Sequence, residues 1–210
     1  MAWRAIFALW AFGLGVQPAY GEETLLSRVK AHYASIETLQ ADFVQETRST
    51  ALGVVRQEGK LRLERPNKMR WDFQDARAFV GDGETLWMYN PSDRQVIRSQ
   101  GSFEGSTSAS LLQSLDRLDL FFEVSDSTLA EEAGLQILSL TPKETGQFIG
   151  LTLYLDEKLQ LKKVESRDVL GGTTVLTFAN LEHPADIDDD VFDFTVPDGV
   201  RVIDAGSWSP

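Results

Sequence analysis

Few side chains in this sequence are suited to reaction chemistry. None of the 210 residues is cysteine, so disulfides, thiolate metal sites and cysteine nucleophiles are excluded. The two histidines, His32 and His183, lie far apart in the chain. Neither belongs to a zinc-binding His-x-x-x-His pair, and neither accompanies a Gly-x-Ser-x-Gly nucleophile motif. His32 is expected on the exposed flank of a first helix, and His183 precedes Pro184 in a loop. Asp186, Asp188, Asp189 and Asp190 form an acidic run whose obvious chemistry would be calcium binding. A calcium loop needs a glycine at its sharp turn and a spaced bidentate acid. This run has neither and reads as a solvated turn. There is no phosphate-cradling glycine loop and no dinucleotide fingerprint. The expectation is therefore a non-enzyme with no cofactor and no metal. Paired carboxylates are the one arrangement that the sequence alone does not test.

What the chain offers in quantity is apolar patterning. Leu25, Leu26, Val29, Tyr33 and Ile36 fall on one stripe at helical spacing, which predicts a helix over Glu22 to Glu37. From Asp42 the period becomes two. Phe43, Leu61 and Leu63, then Met69, Trp71 and Phe73, then Leu86 and Met88 each alternate with polar neighbours or sit opposite them. Gly81-Asp82-Gly83 and Asn90-Pro91-Ser92-Asp93 punctuate these strands as turns. Gly101 to Thr107 reads as a loop. Ser108 to Leu120 reads as a helix with Leu111, Leu112, Leu115 and Leu118 on one side. Strands return over Leu135 to Leu140, Phe148 to Leu155, Leu159 to Asp168 and Thr173 to Asn180, and Phe192, Phe194 and Val196 close the pattern. Many short antiparallel strands with few helices predict one strongly curved sheet or open barrel. The inward apolar residues fit a plain core as well as a cavity wall, and pattern alone does not separate the two.

The N-terminus carries its own signal. Arg4, the uncharged run Ala5 to Val16 and the small-x-small triplet Ala19-Tyr20-Gly21 have the order of a secretory signal peptide over residues 1–21. The run is shorter than the roughly 20 residues a membrane span needs. Residues 22–210 then form a single exported domain. The formal net charge is −12, and the loss of Arg4 makes it −13. Such a surface repels phosphate backbones and anionic headgroups, so nucleic acid is not an expected ligand.

The ordered motifs Phe43-x-Gln45, Gly59-x-Leu61, Arg65-Pro66-Asn67-Lys68-Met69-Arg70-Trp71, Gly81-Asp82-Gly83 and Leu86-Trp87-x-Tyr89-Asn90-Pro91 resemble the periplasmic outer-membrane lipoprotein carrier family, LolA. Leu140-Thr141-Pro142-Lys143 and Phe192-x-Phe194-x-x-Pro197-x-Gly199-Val200 continue the likeness, which spans roughly Leu25 to Ile203. The resemblance implies a mostly β fold, an incomplete, half-open antiparallel β-barrel with helices covering the open face. It implies a monomeric periplasmic chaperone that receives acylated lipoproteins from an inner-membrane lipoprotein-releasing ABC transporter. The chaperone would shield their acyl chains in an apolar cavity and deliver them to an outer-membrane lipoprotein acceptor.

By position, Arg65 matches a family arginine that bonds backbone carbonyls of the lid helices and holds the empty cavity shut. A guanidinium suits that task, with five donors in a fixed fork. Phe43, Leu61, Leu63, Met69, Trp71, Phe73, Leu86 and Met88 would line the acyl cavity. Met69 departs from a pattern in which phenylalanine is common, but a deformable thioether can line the same wall. Leu111, Leu112 and Leu115 fall on the lid helix. The alternatives are a lipid- or lipoprotein-sensing module of envelope-stress signalling, the outer-membrane acceptor itself, and a lipid hydrolase. The missing lipidation cysteine and nucleophile motif weigh against the last two.

Overall fold

The computed structural model describes residues 23–50, 53–101, 108–126 and 134–207. The predicted signal peptide and most of the predicted 101–107 loop lie outside the described residues. Helix α1 (Leu25–Tyr33) is shorter than expected. Its Thr24 side chain accepts from the Ser27 backbone N–H at 3.2 Å and caps the first turn. Val29 and Tyr33 are buried, and Leu25, Leu26 and Ile36 pack on the same core. The Tyr33 hydroxyl donates to the Leu159 carbonyl and accepts from the Leu161 N–H, each at 3.1 Å, which pins the helix to the sheet. Burial pushes the Tyr33 phenol up to about 12.

The strands are β1 (Thr38–Ser49), β2 (Gly53–Glu64), β3 (Lys68–Phe73), β4 (Ala78–Asp82), β5 (Thr85–Asn90), β6 (Gln95–Gln100), β7 (Phe122–Asp126), β8 (Gln136–Pro142), β9 (Phe148–Leu155), β10 (Leu161–Asp168), β11 (Thr173–Glu182) and β12 (Arg201–Ser207). They form one sheet in the order β12-β6-β5-β4-β3-β2-β1-β11-β10-β9-β8-β7. Every pairing is antiparallel except the last: β12 runs parallel to β6. Strands β7 and β12 end the sheet without pairing to each other, so the barrel is open. Residues of β3 and β8 nevertheless share one apolar cluster. They are six positions apart, about 29 Å across a flat sheet at ~4.8 Å per strand. The segment that leads into β7 also bonds to Arg65 and Asn67 beside β3, so the sheet curves to bring its two ends toward one another.

Two expectations are corrected. The first is the single helix over Ser108 to Leu120, which breaks into α2 (Ser108–Gln113), a 3₁₀ turn (Leu115–Arg117) and α3 (Leu118–Phe121). Ser114 (φ −118°) and Arg117 (φ −140°) leave the helical region. These breaks turn Leu111, Leu112, Leu115 and Leu118 all inward, at 4% exposure or less. The second is Phe192 to Val196, which is not a strand. After a 3₁₀ turn (Asp189–Phe192), the chain lies across the outer face of the sheet. Phe194 packs on Trp87 and Tyr89 with ring centroids 5.7 and 5.9 Å away, and Arg70 Nη1 donates to the Val191 carbonyl at 3.0 Å. A period-two apolar pattern fits any extended segment laid flat on an apolar surface, with or without a ladder. Under this strap Val80 and Val96 are completely buried.

Candidate functional site

Cross-strand register decides which residues share the inner face, because directly paired residues point the same way. One row runs Leu63, Met69, Gly81, Leu86 and Ser99, and the next runs Leu61, Trp71, Phe79, Met88 and Ile97. All eight predicted wall residues therefore lie on the inner side. Phe43, Leu61, Leu63, Met69, Trp71 and Phe73 are buried in the main cluster, and Leu86 packs partly buried against it. Met88 is half-buried and outside that cluster. Phe43 stacks edge-on against Trp71 and Phe73, with centroids 4.9 and 5.3 Å away. Gly59 lies beneath its ring: a Cβ there would sit 2.8 Å from the Phe43 ring and 2.1 Å from the Asp72 carbonyl oxygen. The glycine of the Gly59-x-Leu61 motif is thus a packing requirement. A cleft of about 500 Å³ opens beside Phe43, Gly59, Phe73 and Phe178. That volume is within the range of roughly 300–1,000 Å³ that small-ligand sites occupy.

The lid fills the rest. Leu111, Leu112, Leu115 and Leu118 belong to the same cluster as Leu61 and Trp71. Their side chains occupy the apolar interior against the inner face of the sheet. The Trp71 indole N–H is buried and finds no hydrogen-bond partner among the described residues.

Polar groups fasten the lid at one end. Arg65 Nη2 donates to Asp116 Oδ1 at 2.9 Å, and the two side chains are only 17% and 25% exposed. The arginine thus meets the 3₁₀ turn of the lid through a carboxylate, whereas the family resemblance implies backbone carbonyls. At the other end Lys30 of α1 pairs with Asp119 at 2.7 Å and holds its carboxyl below the usual range. That pair is more exposed and contributes little.

Sequence spacing offered no hint that both histidines pack on Tyr33. His32 and His183 flank Tyr33, with ring centroids 4.9 and 6.3 Å from its ring. His183 Nδ1 is 3.0 Å from the Thr38 carbonyl, which can only accept, so this nitrogen carries the proton. The Nε2 atoms of both rings are shielded and without partners among the described residues. Desolvation lowers the His32 pKa from its ordinary 6.5, His183 lowers it further, and Asp156 opposes them. A lowered histidine favours the fold in its neutral form. That stability is complete above pH 6.5 and is lost as pH falls through the lowered value. The thermal midpoint should fall as pH drops below 6.5, and His32→Asn should flatten the slope. A slope unchanged in the variant would place the effect elsewhere.

Among the described residues no helix is long and apolar enough to cross a membrane. A curved, unclosed sheet whose apolar inner face is covered by a short, leucine-rich helical segment is a half-open barrel. The family model for the outer membrane lipoprotein carrier protein LolA matches residues 34–195. The outer-membrane lipoprotein carrier protein of Methylococcus capsulatus is 35% identical over 189 residues, 87% of this chain and 89% of its own. That of Alkalilimnicola ehrlichii is 30% identical over 213 residues, 98% and 96% of the two chains. An uncharacterized conserved protein from Thermus thermophilus shares the fold, with a TM-score of 0.51 at 12% identity, covering 85% of this chain and 96% of its own. The chain belongs to the LolA outer membrane lipoprotein carrier family.

Proposed function

We propose that this chain is a monomeric periplasmic carrier without enzymatic activity. It takes acylated lipoproteins from an inner-membrane lipoprotein-releasing ABC transporter, shields their acyl chains beneath the lid and passes them to an outer-membrane acceptor. Residues 1–21 direct its export, and residues 22–210 form the carrier domain. The observation that carries this reading is the shared cluster: four lid leucines complete an apolar interior that the sheet leaves unfilled. The names of the relatives point to the same cargo.

Magnitudes support reversible exchange. Each methylene removed from water contributes about 0.8 kcal/mol, so an acyl chain of roughly fifteen methylenes gains ~12 kcal/mol on burial. Opening the lid re-exposes four leucine side chains at about 1.5–3 kcal/mol each, some 6–12 kcal/mol together. Burying one chain and closing the lid are of similar size. Cargo loaded by the transporter can displace the lid, and the closing lid can help displace cargo at the acceptor with no nucleotide to drive that second step.

The test is release of a tagged lipoprotein from spheroplasts, with and without added purified chain. A soluble complex of chain and lipoprotein, seen intact by native mass spectrometry, is expected. Lipoprotein that stays in the membrane fraction whether or not the chain is present would overturn the reading.

A further inference from the structure

Gln113 ends α2 and is only 8% exposed. Its amide reaches across to the turn between β2 and β3. Oε1 accepts from the Asn67 backbone N–H at 2.7 Å, and Nε2 donates to the Lys68 carbonyl at 3.1 Å. The turn is itself anchored, since the Arg65 N–H donates to the Glu37 carbonyl at 2.9 Å. One end of that turn carries Arg65, so the ion pair to Asp116 and the amide contact lie side by side on the lid.

Resting on the lidded-carrier reading above, we propose that Gln113 is a positioning residue of cargo exchange: a neutral, two-point clasp that holds the lid in its closed register. A primary amide presents a donor and an acceptor together, and here it meets one backbone acceptor and one backbone donor. Asn67 belongs to the turn and Lys68 is the first residue of β3, so both backbone groups lie at the end of the hairpin, where water can replace the amide when the lid leaves. The contact is therefore reversible. It also differs in kind from its neighbour. Salt screens the Arg65–Asp116 attraction, while the amide bonds carry no net charge to screen.

The absence of cysteine from the chain allows a clean test. Leu112→Cys places a single thiol under the lid, and its reaction rate with a dithiodipyridine, which works in mild acid, reads lid opening. Adding Gln113→Ala removes both hydrogen bonds and should raise the rate about thirty-fold. Gln113→Glu supplies the distinguishing signature. Its ionised carboxylate can accept from Asn67 but faces the Lys68 carbonyl with no donor. The protonated acid restores both partners. Its rate, relative to the Leu112→Cys parent at each pH, should be high at about pH 7.5 and fall toward one below the ordinary carboxyl range of roughly 4–5. Loosening of the whole fold is read separately: a thiol at Leu61, held between two ladders, should stay unreactive in both variants.

Unchanged labelling in Gln113→Ala, or no acid recovery in Gln113→Glu, would overturn the clasp. Spheroplast release, run in parallel, separates the two ideas. Faster labelling without lipoprotein capture leaves the clasp standing and sinks the carrier. Normal capture with unchanged labelling does the reverse.

Discussion

Arg65→Leu is expected to leave lipoprotein uptake intact and to stop hand-over to the acceptor. The variant removes one side of an ion pair that is mostly buried, 17% and 25% exposed, and leaves Asp116 without that partner. Fully buried pairs cost about 3–5 kcal/mol to break in this way and exposed ones about 0–1. A value of about 2 kcal/mol suits the intermediate burial. The loss falls on the closed state, because the ion pair joins the lid to the sheet. A ligand that binds only the open state sees its apparent affinity scaled by the fraction of open molecules. About 2 kcal/mol then tightens cargo binding roughly thirty-fold. Uptake does not suffer, whereas transfer to a competing acceptor does. The check is transfer of pre-bound lipoprotein to acceptor-containing membranes. Asp116→Asn should reproduce part of the block, and the double variant should be no worse than Arg65→Leu. Transfer at the parent rate by Arg65→Leu would show that the ion pair does not govern release.

The parts of this arrangement differ in how far the sequence discloses them. The inner wall was readable because period-two alternation fixes the face of each strand, and register then carries Leu61 and Trp71 into one row. The lid leucines were readable as a stripe, but the breaks at Ser114 and Arg117 were not, since neither is glycine or proline. The strap over the outer face was misread as a strand. Phe192 and Phe194 alternate like ladder residues, yet Phe194 packs on β5 and Phe192 lies by Lys68 of β3, both far away in the chain. Strand β12 was missed because Arg201 to Ser207 has little apolar character, and an edge strand needs only one ladder. Arg65 was found through motif likeness, while Asp116 and Gln113, its companions across the turn, carry no motif. They become visible only when residues 45 or more positions apart are brought together.

The sharpest discrimination between a lid and an ordinary core comes from placing the same carboxylate at two equally buried leucines. Leu61 and Leu115 are both 0% exposed and both belong to the main cluster. Leu61 sits in β2 between Ala41 of β1 and Trp71 of β3, with ladders on both sides. An aspartate there cannot reach water without dismantling the middle of the sheet. An unpaired buried charge costs several kcal/mol, a large share of a total stability of about 5–15 kcal/mol. Leu61→Asp should lose cooperative unfolding or fail to accumulate. Leu115 lies in a 3₁₀ turn between two short helices, tied to the sheet by Arg65 and Gln113 rather than by a ladder. An aspartate there escapes by lifting the lid, so the cost is capped at the free energy of opening. Leu115→Asp should keep the strand signature in circular dichroism and a cooperative melt, bind an apolar dye far more strongly than the parent, and still capture lipoprotein. If it unfolds as Leu61→Asp does, the segment from Ser108 to Phe121 is part of the fold's indispensable core, and cargo cannot enter by displacing it.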